Sequence, residues 1–291
     1  LKGGKITGDC KKAQIIIVNT CAFLNSARKE SIETVLEYSV YKNENLEKLV
    51  VCGCLPQKFI DETFPALTEG DVFLGTNDYD KFFDALEESY NGDRVNFVGK
   101  GAGVTGEGRV VSTPEHYAYL KIADGCNNRC TYCLIPKIRG KYVSYPMDKL
   151  VSEAESLGDI SELVLVAQDV TRYGIDVCGR SMLVELLQKL TALENINSVR
   201  LLYCYPDMID ERLIAEIRDN PKIIKYLDIP LQHSENSVLK LMNRKGSREE
   251  YLSLINKVRK NIPGIALRST FIAGFPGETE QDFSGLKSFL E

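Results

Sequence analysis

No stretch of this sequence is apolar for long enough to cross a membrane. Its longest aliphatic run, Ile15-Ile16-Ile17-Val18, is far shorter than the roughly 20 residues that a spanning helix requires. No signal peptide opens the chain either. We therefore expect a cytoplasmic protein without a membrane partner, and the aliphatic run itself predicts a buried parallel strand.

A strong charge of either sign is also lacking, because the net charge is only −5. This balance weakly disfavours a nucleic acid as the main partner and fits a basic protein substrate better. The chain begins at Leu1, and its last residue, Glu291, falls inside a helical pattern. We therefore expect a fragment that is cut at both ends.

A disulfide framework is disfavoured as well. The nine cysteines are odd in number and unevenly spaced, and no secretory signal accompanies them. Metal or redox chemistry is the better interpretation of so many thiols. Cys10, Cys178 and Cys204 stand alone in the sequence, and we expect them to be inert or buried.

The first part of the chain alternates short strands with helices. Strands are predicted at 13–19, 48–52 and 72–75, and helices at 22–41, 57–64 and 78–90. This alternation predicts a parallel sheet, and hence a parallel α/β sandwich domain over residues 1–98. Residues 99–113 contain the glycine-rich segment GKGAGVTGEG, which predicts a linker.

A second series of strands and helices begins at Tyr117. Strands are predicted at 117–122, 162–167, 198–202, 225–229 and 266–272, and helices at 146–157, 181–193, 208–219, 248–261 and 279–291. Five consecutive βα units predict a partial TIM-like barrel over residues 114–291. Its chemistry is expected at the carboxyl ends of the strands.

Directly after the first barrel strand, the segment DGCNNRCTYCLIP places Cys126, Cys130 and Cys133 in a C-x3-C-x2-C spacing. Three thiolates on one tight loop can hold three corners of a four-iron four-sulfur cluster and leave the fourth iron open. Zinc is the alternative, but no second C-x-x-C or H-x3-H follows. His116, one of only two histidines, could add a fourth ligand, yet it is expected at the opposite end of the barrel.

With the aromatic Tyr132 before its last cysteine, this spacing resembles the signature of the radical S-adenosylmethionine (SAM) superfamily. The resemblance implies a (β/α)6 barrel, of which five units are present. It also implies that the open iron chelates SAM, whose reductive cleavage gives a 5′-deoxyadenosyl radical. No acid–base dyad is evident, and no catalytic residue is expected beyond the cluster ligands.

The same resemblance implies which strand-end residues contact SAM. They are Tyr132, Gln168, Asp169, Gln232, Gly274, Gly277 and Glu278. The loop TFIAGFPGETE, which contains the last three, also has a purely structural interpretation. Pro276-Gly277 is a common turn, and Thr279 followed by Asp282 predicts a capping box at the start of the next helix.

Two cysteines of the first domain, Cys21 and Cys54, follow neighbouring predicted strands, so they converge at one sheet edge. The phrases NTCAFLNSARKESIETVLE and GCLPQ around them resemble the amino-terminal domain of the methylthiotransferases. The resemblance implies a second four-iron four-sulfur cluster that supplies sulfur. The third ligand of that cluster and the carboxy-terminal TRAM domain of the family are expected to lie outside this chain.

Within that family, YAYLKIADGC, AQDVTRYGID and YLDIPLQHSENSVLKLMNR resemble the ribosomal-protein branch (RimO type). The resemblance implies methylthiolation of the β-carbon of an aspartate in small-subunit ribosomal protein twelve, with an electron donor of flavodoxin or ferredoxin type. The alternatives are a transfer-RNA-adenosine methylthiotransferase (MiaB type), the one case with a nucleic-acid partner, and a non-enzymatic iron–sulfur or zinc protein.

Overall fold

A computed structural model describes residues 4–101, 111 and 113–291. The chain divides into two compact units. The first comprises Leu1–Val104 with Lys137–Arg139, and the second comprises Thr105–Pro136 with Gly140–Glu291. Of the predicted linker, residues 102–110 and 112 lie outside the described part of the chain. Within that part, no helix is both long and apolar enough to cross a membrane.

The first unit contains a four-stranded parallel sheet with the strand order β1-β2-β3-β4. Its strands are β1 (Ile15–Thr20), β2 (Lys48–Gly53), β3 (Val72–Leu74) and β4 (Val95–Asn96), and its helices are α1 (Asn25–Ser39), α2 (Cys54–Ala66) and α3 (Phe82–Asn91). Short 3-10 turns span Cys10–Lys12, Val40–Asn43 and Tyr79–Lys81. The three predicted strands and helices are confirmed, whereas β4 was missed.

Strand β2 separates two apolar cores, one on each face of the sheet. Leu49 and Val51 point into a core with Val35 of α1, while Val50 and Cys52 point into another with Ala85 of α3. A strand buried on both faces reads as a continuous apolar run, as KLVVCG does. The unit is therefore a sandwich of helices around a parallel sheet, as predicted.

The second unit is built from repeated strand and helix pairs. Its strands are β5 (Tyr117–Lys121), β6 (Ala123–Asp124), β7 (Val143–Ser144), β8 (Glu162–Val166), β9 (Val199–Leu201), β10 (Tyr226–Asp228) and β11 (Ala266–Arg268). Its helices are α4 (Ile135–Ile138), α5 (Met147–Glu155), α6 (Ile175–Cys178), α7 (Leu183–Thr191), α8 (Glu211–Asp219), α9 (Asn236–Leu241), α10 (Arg248–Asn261) and α11 (Glu280–Leu290), with 3-10 turns at Val170–Arg172 and Pro206–Met208. Helix α4 runs through Pro136 into the short segment that groups with the first unit.

The five predicted barrel strands follow one another side by side. Parallel pairs join β5 to β8, β8 to β9, and β10 to β11. Backbone hydrogen bonds from Ile224 to Val199 and from Cys204 to Asp228 connect the segments of β9 and β10. One continuous apolar core lies among these strands and their helices. The predicted partial barrel is confirmed, and the antiparallel pair β6–β7 is an addition to it.

Candidate functional site

The loop that carries the three cysteines begins at β6. Gly125 has φ 74, and a Cβ atom at this position would lie 2.1 Å from the carbonyl oxygen of Lys141. The next residue, Cys126, donates its backbone N–H to the carbonyl of Gly140 at 3.2 Å. Only glycine fits this close approach. The D-G-C sequence thus fixes where the first thiol leaves the sheet.

All three thiols of this loop are half-buried, and each has a polar neighbour. The N–H of Asn128 donates to Cys126 Sγ at 3.4 Å, and the backbone N–H of Ile135 donates to Cys133. Cys130 Sγ lies 3.8 Å from the Tyr205 hydroxyl. Burial raises the pKa of the Cys126 and Cys133 thiols above their ordinary value.

The end of helix α9 holds the cysteine loop in place. Thr131 donates its N–H to the carbonyl of Met242 at 3.1 Å and its hydroxyl to the carbonyl of Leu241 at 3.0 Å. Asn243, at φ 53, directs its side-chain amide to the carbonyl of Arg129 at 2.8 Å. The carbonyls left free at a helix end are thereby satisfied by the loop. Helix α9 was not predicted from the sequence.

Two of the residues expected to contact SAM follow strand β8 and behave differently. Gln168 is half-buried, and its Oε1 is a buried acceptor without a hydrogen-bond partner among the described residues. Asp169 is fully buried, and its carboxylate accepts from Thr171 and from Arg172 Nε at 2.9 Å. Burial raises the pKa of Asp169 despite these donors. Gln168 is therefore available to a ligand, whereas the Asp169 carboxylate already caps its own turn.

The loop after β11 is organised around Glu278. Its Oε2 accepts from the Phe275 N–H at 2.8 Å, and its Oε1 lies 3.5 Å from His233 Nε2. Gly274 and Gly277 both have left-handed backbone, at φ 77 and φ 91. The predicted capping box of Thr279 and Asp282 is confirmed. Glu278 thus closes its own turn, while Oε1 has no hydrogen-bond partner in the described chain.

Two further predicted contacts lie close to these loops. The Tyr132 ring packs edge-on against Phe275 with centroids 6.3 Å apart, so the cysteine loop contacts the loop after β11. Burial raises the pKa of Tyr132 to about 12. Gln232 has φ 73 and pairs with Phe271. A left-handed glutamine is uncommon, and here it lies beyond the end of β10, where parallel pairing with the segment after β11 continues.

Sequence reasoning missed Arg244, which contacts the cysteine loop directly. Its Nη1 donates to Cys130 Sγ at 3.8 Å and to the Tyr132 hydroxyl at 3.2 Å. The residue lies far along the chain from the three cysteines, in the polar run NRKG after α9. Such a run ordinarily indicates a solvated turn, so the sequence carried no signal for this contact.

In the first unit, the two predicted cysteine ligands follow paired strand ends. Asn19 and Thr20 of β1 lie opposite Cys52 and Gly53 of β2, so Cys21 and Cys54 leave the sheet at the same edge. Cys21 is exposed and Cys54 is half-buried. Gly53, at φ 98, makes the turn that starts α2.

The remaining cysteines fall into three environments. Cys52 is buried, and burial raises its pKa to about 11. Cys204 is buried too, Cys10 is half-buried against the core of the first unit, and Cys178 is exposed. Among the described residues, no three Cys, His, Asp or Glu side chains are grouped so that they could hold a single metal ion. A cubane cluster, by contrast, takes its thiolates at separate corners.

The architecture is also found among solved structures. The cobalamin-dependent S-adenosylmethionine radical enzyme OxsB, in its structure with aqua-cobalamin and S-adenosylmethionine bound, matches with a TM-score of 0.66 at 12% identity. The match covers 96% of this chain and 44% of that chain. At such low identity the likeness shows the fold alone.

Comparisons of sequence are more specific. Residues 120–290 match the model of the Radical SAM superfamily, and residues 1–75 match that of the Uncharacterized protein family UPF0004. The chain is 48% identical to the ribosomal protein uS12 methylthiotransferase RimO of Clostridium tetani, over 100% of this chain and 66% of the relative. The protein of the same name from Caldanaerobacter subterraneus is 46% identical, over 100% and 67%. This chain thus spans about two-thirds of its relatives' length, and it belongs to the radical SAM superfamily and, within it, to the RimO family of methylthiotransferases.

Proposed function

We propose that the protein is a radical SAM methylthiotransferase that adds a methylthio group to the β-carbon of an aspartate in ribosomal protein uS12. The observation that carries this proposal is the 48% identity to a relative of that name over the whole of this chain. The arrangement of Cys126, Cys130 and Cys133 on one loop supports it chemically. These thiols are the proposed ligands of a four-iron four-sulfur cluster.

The residues around the loop fit such a cluster and SAM. Each of the three thiols accepts from one of the donors Asn128, Ile135 and Arg244, and such donors favour a negatively charged centre. The orphaned Oε1 of Gln168 is an acceptor suited to an amino group such as that of SAM. Buried acceptors without a partner are rare in native proteins, so a ligand donor at this position would satisfy the group.

When bound, the cluster supplies the electron for reductive cleavage of SAM, which starts hydrogen abstraction from an unactivated carbon. The chain's own residues position and shield. The edge-on contact of Tyr132 with Phe275 places aromatic surface beside Cys133, and the left-handed Gly274 and Gly277 would let the backbone approach a flat ligand closely. We assign contacts with SAM to Tyr132, Gln168, Gln232, Gly274 and Gly277. We propose that Asp169 and Glu278 support these contacts, because each carboxylate holds the shape of the loop that makes them.

For the first unit we propose that Cys21 and Cys54 are ligands of a second four-iron four-sulfur cluster, the source of the inserted sulfur. Their common sheet edge and their accessibility support this assignment. The burial of Cys52 in the core supports leaving it out of the proposed ligand set. The methyl group would come from a second SAM. We assign residues 1–98 to the methylthiotransferase domain and residues 114–291 to the radical SAM core.

Cluster binding is tested by anaerobic reconstitution with iron and sulfide. We expect Cys126→Ser, Cys130→Ser and Cys133→Ser each to abolish the barrel cluster and the release of 5′-deoxyadenosine from SAM with dithionite. Cys178→Ser, an exposed cysteine outside the loop, is the matched control and should load iron like the unmodified protein. Thiol-independent iron, or a single bound zinc ion, would contradict the cluster assignment.

The substrate is tested with the complete natural protein, supplied with uS12 and with transfer RNA in parallel. We expect mass spectrometry to show a methylthio group on one aspartate of uS12. Methylthiolation of the transfer RNA alone would establish the MiaB-type activity instead. We also propose a cytoplasmic location. Because the reaction consumes low-potential electrons, we propose an electron donor of flavodoxin or ferredoxin type.

A further inference from the structure

Arg244 is placed by the way helix α9 ends. The N–H of Asn243 donates to the carbonyl of Lys240 at 3.1 Å, and the N–H of Arg244 donates to that of Leu239 at 2.9 Å. With Asn243 left-handed at φ 53, this is a Schellman motif. The motif reverses the chain after α9 and turns the Arg244 side chain back towards the cysteine loop. Its position is therefore set by backbone bonds rather than by a flexible surface turn.

The guanidinium of Arg244 is a buried cation. The residue is 8% exposed, and its charged group lies over the Tyr205 ring with 4.4 Å between Cζ and the ring centroid. Nη2 donates to the carbonyl of Pro230, and Nη1 reaches Tyr132 and Cys130. With the Tyr251 hydroxyl, which also hydrogen-bonds the guanidinium, these partners are a carbonyl oxygen, two aromatic hydroxyls, a ring and a thiol. Nε has no hydrogen-bond partner in the described part of the chain.

A cation buried among neutral groups is costly unless a negative charge compensates it. The atom closest to that role is Cys130 Sγ, 3.8 Å from Nη1. Cys130 also differs from the other two cysteines, since Cys126 and Cys133 have backbone N–H donors. The charge of Arg244 is thus directed to one specific corner of the proposed cluster.

We infer that Arg244 is the electrostatic partner of the barrel cluster and raises its reduction potential through the ligand Cys130. This inference rests on the proposed function, because it requires a cluster at these cysteines. Reduction transfers one electron from the donor to the cluster and adds one negative charge to it. A fixed cation in a low-dielectric site stabilises the reduced form more than the oxidised form. Hydrogen bonds to ligand sulfur act in the same direction.

The test is a potentiometric titration of the reconstituted protein with dithionite, followed by the electron paramagnetic resonance signal of the reduced cluster. For Arg244→Met at equal iron content, we expect reduction to become about tenfold less favourable, a shift of ~59 mV to more negative potential for one electron. Arg244→Lys keeps a cation and should recover part of the shift. Tyr205→Phe, which removes a hydroxyl 3.8 Å from Cys130 Sγ, should give a smaller shift in the same direction.

The matched control is Lys245→Met. Lys245 is the next cation in the sequence, but its side chain is 70% exposed and pairs with Asp207 at 3.6 Å, so solvent screens its charge. We expect its potential to equal that of the unmodified protein. Equal potentials for Arg244→Met, Tyr205→Phe and the unmodified protein would overturn the inference alone. If the unmodified protein bound no iron that depends on the three cysteines, the proposed function would be overturned, and the inference with it.

Discussion

The side-chain amide of Asn243 donates a hydrogen bond of 2.8 Å to the backbone carbonyl of Arg129. Asn243 is the left-handed residue that follows the C-cap of helix α9, and Arg129 lies between the first two cysteines of the predicted cluster loop. A single residue therefore terminates a helix and holds the loop. Asparagine suits both tasks, because it tolerates the left-handed backbone and carries a donor on a short side chain.

Substitution of Asn243 separates these two tasks. Asn243→Gly keeps the left-handed backbone and removes the side-chain bond, so we expect a loss of about 1 kcal/mol in the free energy of unfolding. Asn243→Ala also introduces steric strain at positive φ, which costs about 1 kcal/mol more. Urea unfolding measures both values. Equal stabilities of the glycine and alanine variants would show that the left-handed conformation is not the limiting feature.

Gln168 offers a buried acceptor that the chain itself does not use. If its Oε1 accepts from the charged amino group of SAM, Gln168→Ala should remove a bond of about 1.5–3 kcal/mol. This corresponds to a roughly tenfold to hundredfold weaker affinity, because about 1.4 kcal/mol is tenfold. Equilibrium dialysis of SAM with the reconstituted protein gives the constant. Gln188→Ala, an exposed glutamine that pairs with Glu216, serves as the control and should bind SAM normally.

Thr20 connects the strand ends that carry the cysteines of the first unit. Its buried hydroxyl donates to the carbonyl of Cys52 at 2.6 Å and accepts from the Leu55 N–H at 3.2 Å. Thr20→Val keeps the shape but leaves both backbone groups unsatisfied, so we expect a loss of about 1–3 kcal/mol. Thr20→Ser retains the hydroxyl and should lose much less. Thermal unfolding followed by circular dichroism distinguishes the two, and equal losses would contradict a role for the hydroxyl.

The capping box of α11 includes the Asp282 carboxylate, so its contribution to the stability of the folded state depends on pH. Hydrogen bonds from Ser237 and Thr279 lower the pKa of Asp282 to about 2. The unfolded value is about 3.9, so the carboxylate stabilises the folded state above that pH and loses this effect as the pH falls towards about 2.

We therefore expect Asp282→Asn to be less stable than the unmodified protein at neutral pH, with the difference narrowing below about pH 4. Denaturant unfolding over a pH series measures the difference directly. Ser237→Ala removes one donor to the same carboxylate and should show part of the effect. A difference that is constant across the series would rule out the carboxylate charge as the cause.

The sequence predicted the regular elements well where hydrophobic periodicity extends over several turns or a full strand. The helix predicted at 248–261 is α10, and the strand predicted at 48–52 is β2 with one residue added. The two-residue strands β4 and β6 and the six-residue helix α9 carry too few positions for the period of a strand or a helix to be visible. Their existence depends on tertiary contacts that no local pattern encodes.

The candidate site shows the same division. A short spacing on one loop suffices to predict Cys126, Cys130 and Cys133 as candidates, because local geometry alone brings them together on that loop. Arg244 reaches the same place only through the turn after α9 and contacts with Tyr132 and Tyr205. Similarly, Asp169 is polar and stands at a strand end, but its hydrogen bonds to Thr171 and Arg172 could not be foreseen.

Strand β2 faces a different core on each side, with Leu49 and Val51 in one and Val50 and Cys52 in the other. A shift of one residue in the pairing of a strand moves every side chain to the opposite face. Here such a shift would exchange two cores at once and would displace the edge from which Cys54 emerges. An insertion or deletion within Lys48–Gly53 would therefore disrupt both faces of the sheet together, whereas one in a loop of this unit would leave the register of β2 unchanged.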